Sequence, residues 1–205
     1  STDYVFDGGK AGPYLEDDPT LPQSVYGRTK LAGEAAIRAV PCRSVIFRTS
    51  WVFGARGGNF VKTILRLARE KETLNVVDDQ IGSPTPAALI ATVTGVALAM
   101  LRQGRAMKRE EHRLYHLCCG RPVSWHEFAT TIVALARAMP GFDLRLTPEA
   151  IRAIPSSEYP TAAARPLNSR LSCARLEHDF GLLMPDWQPY LARMLQLLSL
   201  KQNGY

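Results

Sequence analysis

Apolar residues recur every three or four positions in several stretches of the chain, and that spacing predicts helices. Val25, Leu31, Ala32, Ala35, Ala36 and Ile37 mark one helix over 24–40, stopped by Pro41. Phe60, Ile64, Leu65, Leu67 and Ala68 mark a second over 59–72, with Asn59 as its N-cap. A third runs over 86–103, opening on a proline whose missing N–H costs nothing in a first turn. A fourth runs over 124–139, with Ser124 as cap and Glu127 at capping-box spacing. Two short helices close the chain, around 173–180 and 188–198. Between them lie short apolar runs that read as strands. Val45, Ile46 and Phe47 in a row give a strand over 44–49 with both faces buried; 74–77 and 114–118 give two more. Val5-Phe6 reads as a strand's end, followed by a Gly-rich acidic loop over 7–20, and the Pro-rich stretch 140–166 reads as irregular. Strands alternating with helices of this length predict an α/β protein with a mostly parallel sheet.

Composition narrows the classes. With 205 residues, 46% hydrophobic and 21% charged, the chain is globular, as one large or two small domains. The uncharged stretch 84–101 contains Thr85, Thr92, Thr94, Gly95 and two prolines, so it is read as an amphipathic or buried helix and no membrane partner is expected. Ser1-Thr2-Asp3 has neither the basic nor the apolar segment of a secretory signal. The net charge of +6 comes from dispersed basic residues not interleaved with aromatics, which argues against nucleic acid and leaves a phosphorylated small molecule as a fitting ligand. Cys42, Cys118, Cys119 and Cys173 form no C-x-x-C pair, so reduced cytosolic thiols are expected.

The candidate chemistry lies in Tyr26-Gly27-Arg28-Thr29-Lys30, which puts a phenol and an ammonium one helical turn apart on one face. A free phenol, with a pKa of ~10, is a poor proton shuttle at neutral pH; a cation held beside it favours the phenolate and brings it toward acid–base use. A hydroxyl from elsewhere would share the hydrogen bond to a carbonyl oxygen, and Thr2 is the candidate. The spacing alone is common, and an exposed Tyr beside a Lys usually does nothing. His112 and His116 share one strand face but lack further ligands at metal-binding spacing, so no metal is expected.

The surrounding strings decide between these readings. Ser1-Thr2-Asp3-Tyr4-Val5-Phe6-Asp7-Gly8 and Val25-Tyr26-Gly27-Arg28-Thr29-Lys30-Leu31-Ala32-Gly33-Glu34 resemble the extended short-chain dehydrogenase/reductases of nucleotide sugars. Phe47-Arg48-Thr49-Ser50-Trp51-Val52-Phe53, Asn59-Phe60-Val61-Lys62, Asp78-Asp79-Gln80-Ile81-Gly82-Ser83-Pro84-Thr85 and Arg165-Pro166-Leu167-Asn168-Ser169-Arg170-Leu171 narrow the resemblance to the dTDP-4-dehydrorhamnose reductases, across essentially the whole chain.

That resemblance implies NAD(P)H-dependent reduction of the 4-keto group of dTDP-4-dehydro-L-rhamnose in the cytoplasm, toward cell-surface polysaccharide. Tyr26 matches the proton donor, Lys30 the lysine that binds the nicotinamide ribose and eases the tyrosine's proton loss, and Thr2 the hydroxyl at the reacting carbonyl. Tyr26 and Lys30 would thus also contact the cofactor, NADPH or NADH. Asp3 matches a sugar contact, against an alternative as an Asx-turn partner; Trp51 matches a residue packing on the sugar, against an alternative as core. Asn59, Lys62 and Arg165 would meet diphosphate or sugar, or else serve as caps and surface groups. The implied fold is a partial Rossmann-like doubly wound parallel sheet, its N-terminal strands missing, with a smaller α+β substrate-binding domain. Residues 1–58 would belong to the dinucleotide-binding domain and 59–205 mainly to the substrate-binding domain, with 86–119 returning to the dinucleotide-binding sheet. A homodimer is allowed for.

One family feature has no match. Neither Gly8-Gly9 nor Gly54-x-x-Gly57-Gly58 follows the first strand of a βαβ unit as a pyrophosphate-binding turn does. The family carries that turn in about a hundred residues that would precede Ser1, along with roughly four strands. The expectation is that these residues alone bind NADPH weakly or not at all and turn over no substrate. Two other readings remain: another nucleotide-sugar reductase or epimerase, against which Trp51 and the Arg165–Leu171 string argue, and a non-catalytic regulatory subunit of the same fold, against which the joint presence of Thr2, Tyr26 and Lys30 argues.

Overall fold

A computed structural model describes residues 1–103, 112–159 and 165–202. Pro160, within the Pro-rich stretch read as irregular, lies outside the described residues. Six helices are described: α1 (Val25–Arg38), α2 (Phe60–Glu70), α3 (Ala87–Arg102), α4 (Trp125–Arg137), α5 (Ala174–Phe180) and α6 (Gln188–Gln202). Nine short strands accompany them: β1 (Ser44–Arg48), β2 (Val52–Phe53), β3 (Leu74–Val77), β4 (Ile81–Gly82), β5 (Thr85–Pro86), β6 (His112–His116), β7 (Val123–Ser124), β8 (Ile151–Ile154) and β9 (Asn168–Ser169). Among the described residues the pairs β1–β6, β2–β5, β3–β8 and β4–β9 are parallel, and only β4–β7 is antiparallel. This is the α/β architecture with parallel pairing that the alternating pattern predicts.

Helix starts follow the local chemistry. Ser24, Asn59 and Ser124 each adopt extended backbone and accept from the N–H three residues on, satisfying a donor the helix leaves open. Gly181, with φ of 61°, closes α5 in the left-handed conformation that favours glycine. Four expectations need correction. The last helix is not short: it runs from Gln188 to Gln202. The strand expected at 114–118 is shifted two residues earlier, to β6. Within the stretch read as irregular, Ile151-Arg-Ala-Ile154 forms β8 beside β3. Its period is hidden because only Ile151 is buried while Arg152 and Ala153 are exposed. Finally, β1 is not buried on both faces: Ser44, Val45 and Phe47 are half-buried, and only Ile46 and Arg48 are fully enclosed.

The main core lies between α2, α4 and α6 and against β3 and β8, where Ile64, Leu65, Phe128, Ile132, Val133, Leu191 and Leu195 close together. A second, much smaller cluster (Val5, Phe6, Tyr14, Cys118 and Leu171) lies under the N-terminal segment. The loop over 7–20 is tied down by polar contacts rather than by bulk. Asn168 Nδ2 donates to the carbonyls of Lys10 and Gly12 at 2.7 and 2.8 Å, and Tyr14 forms an isolated parallel bridge with Leu171. The Arg165–Leu171 string therefore braces this loop as well as bordering the cavity described next.

Candidate active site

Thr2 pairs with Thr49 at the end of β1 as an isolated parallel bridge, and Asp3 N–H donates to the Thr49 carbonyl at 3.1 Å. This places Thr2 and Asp3 at the C-terminal edge of the β1–β6 pair, where open α/β sheets present ligand-binding groups. Helix α1 closes on the same point because Gly27 lacks a side chain. A Cβ there would fall 2.2 Å from the Tyr4 carbonyl oxygen, so only glycine lets the helix come this near. The neighbouring Tyr26 ring meets Tyr4 edge-on at 5.7 Å and stays half exposed. The result is an open cavity of about 780 Å³ whose lining includes Thr2, Asp3, Tyr26, Arg28, Trp51, Trp125 and Arg165.

Trp51 has φ of 47°, a left-handed conformation uncommon and strained for a bulky residue. It lies across Gly82, where an added Cβ would stand 2.5 Å from the indole, and stacks on Trp125 with ring centroids 3.5 Å apart and 9° between planes. The indole of α4 and the indole from the turn between β1 and β2 thus stack face to face as an apolar wall of the cavity that Tyr26 also lines. Strain of this kind persists where the surroundings over-determine it, and it clusters at ligand sites. A second hollow of about 710 Å³ opens beyond Trp125, between α2, β3 and the 154–159 segment, and Trp125 and Arg165 border both hollows.

Asp3 is 3% exposed and accepts from the Thr2 hydroxyl at 3.0 Å. Burial pushes its carboxyl from 3.8 up to about 6, against the opposing pull of the Ser169 and Thr2 hydroxyls. Burial also raises the Tyr4 phenol, helped by the nearby Asp3 charge and opposed by Arg165. Behind the cavity, Arg48 and Glu34, both 2% exposed, pair through two hydrogen bonds of 2.8 and 2.7 Å that bind α1 to β1. Burial, the largest influence, would raise the Glu34 carboxyl, but hydrogen bonds from Arg48 and Ser1 and the charges of Arg48 and Arg38 together outweigh it and hold Glu34 below its usual range. His116 is wholly buried next to this pair, and burial together with the Arg48 charge drives its imidazole down to about 3. Its Nδ1 lies 3.1 Å from the Tyr14 carbonyl, which requires the ring proton on Nδ1.

The structure brings Thr2, Asp3, Tyr26, Trp51 and Arg165 to one cavity. Lys30 is exposed one turn further along α1, outside the cavity lining. Asn59 and Lys62 are elsewhere: the Asn59 amide caps α2 and donates to the Gly54 carbonyl at 2.7 Å, and Lys62 Nζ donates to the Gly57 carbonyl at 2.8 Å. Trp125 is the wall residue the pattern along the chain misses. It carries no local signal beyond following the Ser124 cap, and only the packing of α4 brings it to Trp51. The residues available to a dinucleotide are the Tyr26 phenol and the Lys30 ammonium, both exposed on α1 and suited to a ribose hydroxyl.

A parallel α/β fold with a Tyr–Lys pair one turn apart beside a threonine hydroxyl defines a protein of the short-chain dehydrogenase/reductase class. More narrowly, the family model described as the RmlD substrate binding domain matches residues 1–200, and the chain belongs to that family. It is 46% identical over 198 residues to a dTDP-4-dehydrorhamnose reductase of Shigella flexneri, covering 97% of this chain and 64% of the relative. Among solved structures, it resembles a dTDP-4-dehydrorhamnose reductase from Clostridium acetobutylicum (TM-score 0.81, 35% identity, 97% of this chain and 64% of that one). It also resembles one from Bacillus anthracis in complex with NADP (TM-score 0.79, 34% identity, 96% and 64%). The chain therefore spans less than two thirds of the length of these relatives. Among the described residues no helix is long and apolar enough to cross a membrane.

Proposed function

We propose that these residues form the substrate- and proton-handling part of an NAD(P)H-dependent reductase that converts the 4-keto group of dTDP-4-dehydro-L-rhamnose to the alcohol of dTDP-L-rhamnose, for cell-surface polysaccharide. The observation that carries the reading is the convergence of Thr2 and Tyr26 on one cavity with the Trp51–Trp125 wall. The Thr2 hydroxyl, turning its proton from Asp3 Oδ1 to the substrate, positions the ketone oxygen by a hydrogen bond, and the Tyr26 phenol passes its proton to that oxygen as it becomes an alkoxide. Lys30, one turn away, stabilises the phenolate left behind and, with Tyr26, holds the nicotinamide ribose. NADPH or NADH, when bound, supplies the hydride that adds to the carbonyl carbon.

Trp51 packs on the apolar face of the sugar, Asp3 accepts from a sugar hydroxyl, and Arg165, bordering both hollows, meets the diphosphate. Asn59 and Lys62 are kept as peripheral contacts only, because their side chains already serve the start of α2 and the Gly57 carbonyl. In domain terms, 1–58 with 86–119 form the dinucleotide-binding side and 59–205 mainly the substrate-binding side. The parallel pairing of β1 with β6 supports that division. The setting proposed is the cytoplasm, in keeping with four free cysteines, and the assembly a homodimer, to be checked by sedimentation.

Titrating dTDP-L-rhamnose into the 205-residue chain tests the reading through tryptophan fluorescence. A saturable change is expected, absent with a GDP-linked sugar and weakened at least tenfold in Arg165→Ala. No response to the dTDP-sugar, or an equal response to the GDP-sugar, sinks it. NADPH titrated into the same chain is expected to bind weakly or not at all, and micromolar binding overturns that part alone.

A further inference from the structure

Away from the cavity mouth, the fold brings two thiols together. Cys118, two residues beyond the end of β6, is 1% exposed, and its Sγ lies 3.5 Å from the Sγ of Cys173, 55 residues away in sequence. Cys173 is partly exposed just before α5. Its sulfur is held on both sides by the Cys118 backbone: it accepts from the Cys118 N–H at 3.3 Å and donates to the Cys118 carbonyl at 3.6 Å. The other two cysteines differ in kind. Cys42 is exposed, and Cys119 belongs to the main core, where burial pushes its thiol up to about 12. One thiol of the close pair is thus reachable from solvent, and the other waits behind it in contact.

We propose that Cys118 and Cys173 form a redox-sensitive dithiol, a modification site that a hydroperoxide converts into a disulfide. Cys173, the accessible member, attacks the peroxide as its thiolate. The O–O bond breaks, an S–O bond forms, and the departing oxygen leaves as water or an alcohol, which gives the Cys173 sulfenic acid. Cys118 Sγ then attacks that sulfur; the S–S bond forms, the S–O bond breaks, and the hydroxide leaves as water with the Cys118 proton. The two sulfurs together lose two electrons to the peroxide, and a thiol reductant returns them. The order follows from access and from charge. The Cys173 hydrogen bond, and then burial, hold the Cys118 thiol well above its usual range, so it stays protonated until a sulfenic acid stands beside it.

Bond formation draws the sulfurs from contact to roughly 2.05 Å and joins the end of β6 to the start of α5. The pull acts close to the cavity floor. Cys118 adjoins Ser83, whose carbonyl accepts from Ser50 Oγ at 2.9 Å immediately before Trp51.

The test is to treat the reduced 205-residue chain with hydrogen peroxide under native conditions, alkylate the remaining thiols after unfolding, and map the digest by mass spectrometry. Expected are the mass loss of two hydrogens, a cross-linked peptide joining Cys118 to Cys173, and reversal by dithiothreitol. Expected too is a rise in Tm on the order of 5–10 °C, because the bond closes a long loop. Cys118→Ser and Cys173→Ser should each abolish the link, while Cys119→Ser should leave it. The proposal is overturned if Cys118 remains fully alkylated while Cys173 proceeds to sulfinic acid. A link through Cys42 or Cys119 in its place overturns it equally. The mapping on the unaltered chain decides the matter even where a serine variant folds poorly.

Discussion

The two helices that flank the cavity are held by different physics. Helix α4, which delivers Trp125, buries Phe128, Ala129, Ile132, Val133 and Ala136 in the main core. Helix α1, which delivers Tyr26, buries only Gly27 and Glu34 and leaves Val25 and Ile37 exposed. Its place is set by a missing side chain at Gly27 and by the Glu34–Arg48 ion pair. One wall therefore rests on apolar packing, which responds to lost volume and little to pH. The other rests on a buried charge pair, which tolerates little if one partner is removed. Tyr26, the proposed proton donor, stands on the electrostatic wall and Trp125 on the apolar one.

The sharpest way to break this comparison is Arg48→Met. Leaving Glu34 buried without Arg48, its enclosed partner, and with only the more exposed Arg38 guanidinium paired to it at 3.3 Å, should cost about 3–5 kcal/mol in urea unfolding, whereas the double variant with Glu34→Leu should recover most of it. A single variant that costs under about 1 kcal/mol would show that α1 is held by something else. Acid probes the same pair: because Glu34 titrates below its usual range, its contribution is present at neutral pH and is lost as pH falls through its folded-state value. On the other wall, Ile132→Ala should cost about 2–5 kcal/mol, much the same at pH 5 and pH 8.

Asp3→Asn reverses the sign. Since the folded carboxyl titrates near 6 rather than 3.8, the ionised form is disfavoured by folding, and its stability contribution falls as pH rises from about 4 through 6. The variant should match the parent near pH 4 and exceed it by up to about 3 kcal/mol at pH 7–8, measured by urea midpoints across pH. His116 works the other way. With its folded value near 3 against 6.5, it costs stability as pH falls below 6.5, so the Asp3 variant should also show the steeper acid loss. The smallest effect is Ser124→Ala, about 1 kcal/mol from the lost cap of α4, read from the same unfolding curves.

Much of the framework is legible along the chain because its signals are local. The caps Asn59 and Ser124, the stop at Pro41 and the 3.6-residue spacing act within one helix, so the elements follow from neighbours alone. The same spacing misleads about burial in α1, because a periodic apolar face says where a helix can pack and not whether anything meets it. Strand β8 and the two-residue strands were hidden for the opposite reason: they exist only through a partner distant in sequence.

The sequence by itself determined most of the helices, the α/β class, and the Tyr26–Lys30 pair, with Thr2 as a candidate partner, since these depend on spacing and on short strings of residue types. Only the tertiary structure decided that Trp125 completes a wall with Trp51 and that Asn59 and Lys62 are occupied at the start of α2. It alone decided, too, that Asp3 is a desolvated carboxyl and that Cys118 meets Cys173. Each of these rests on contacts between residues far apart in the chain, whose distances, burial and charge no local pattern encodes.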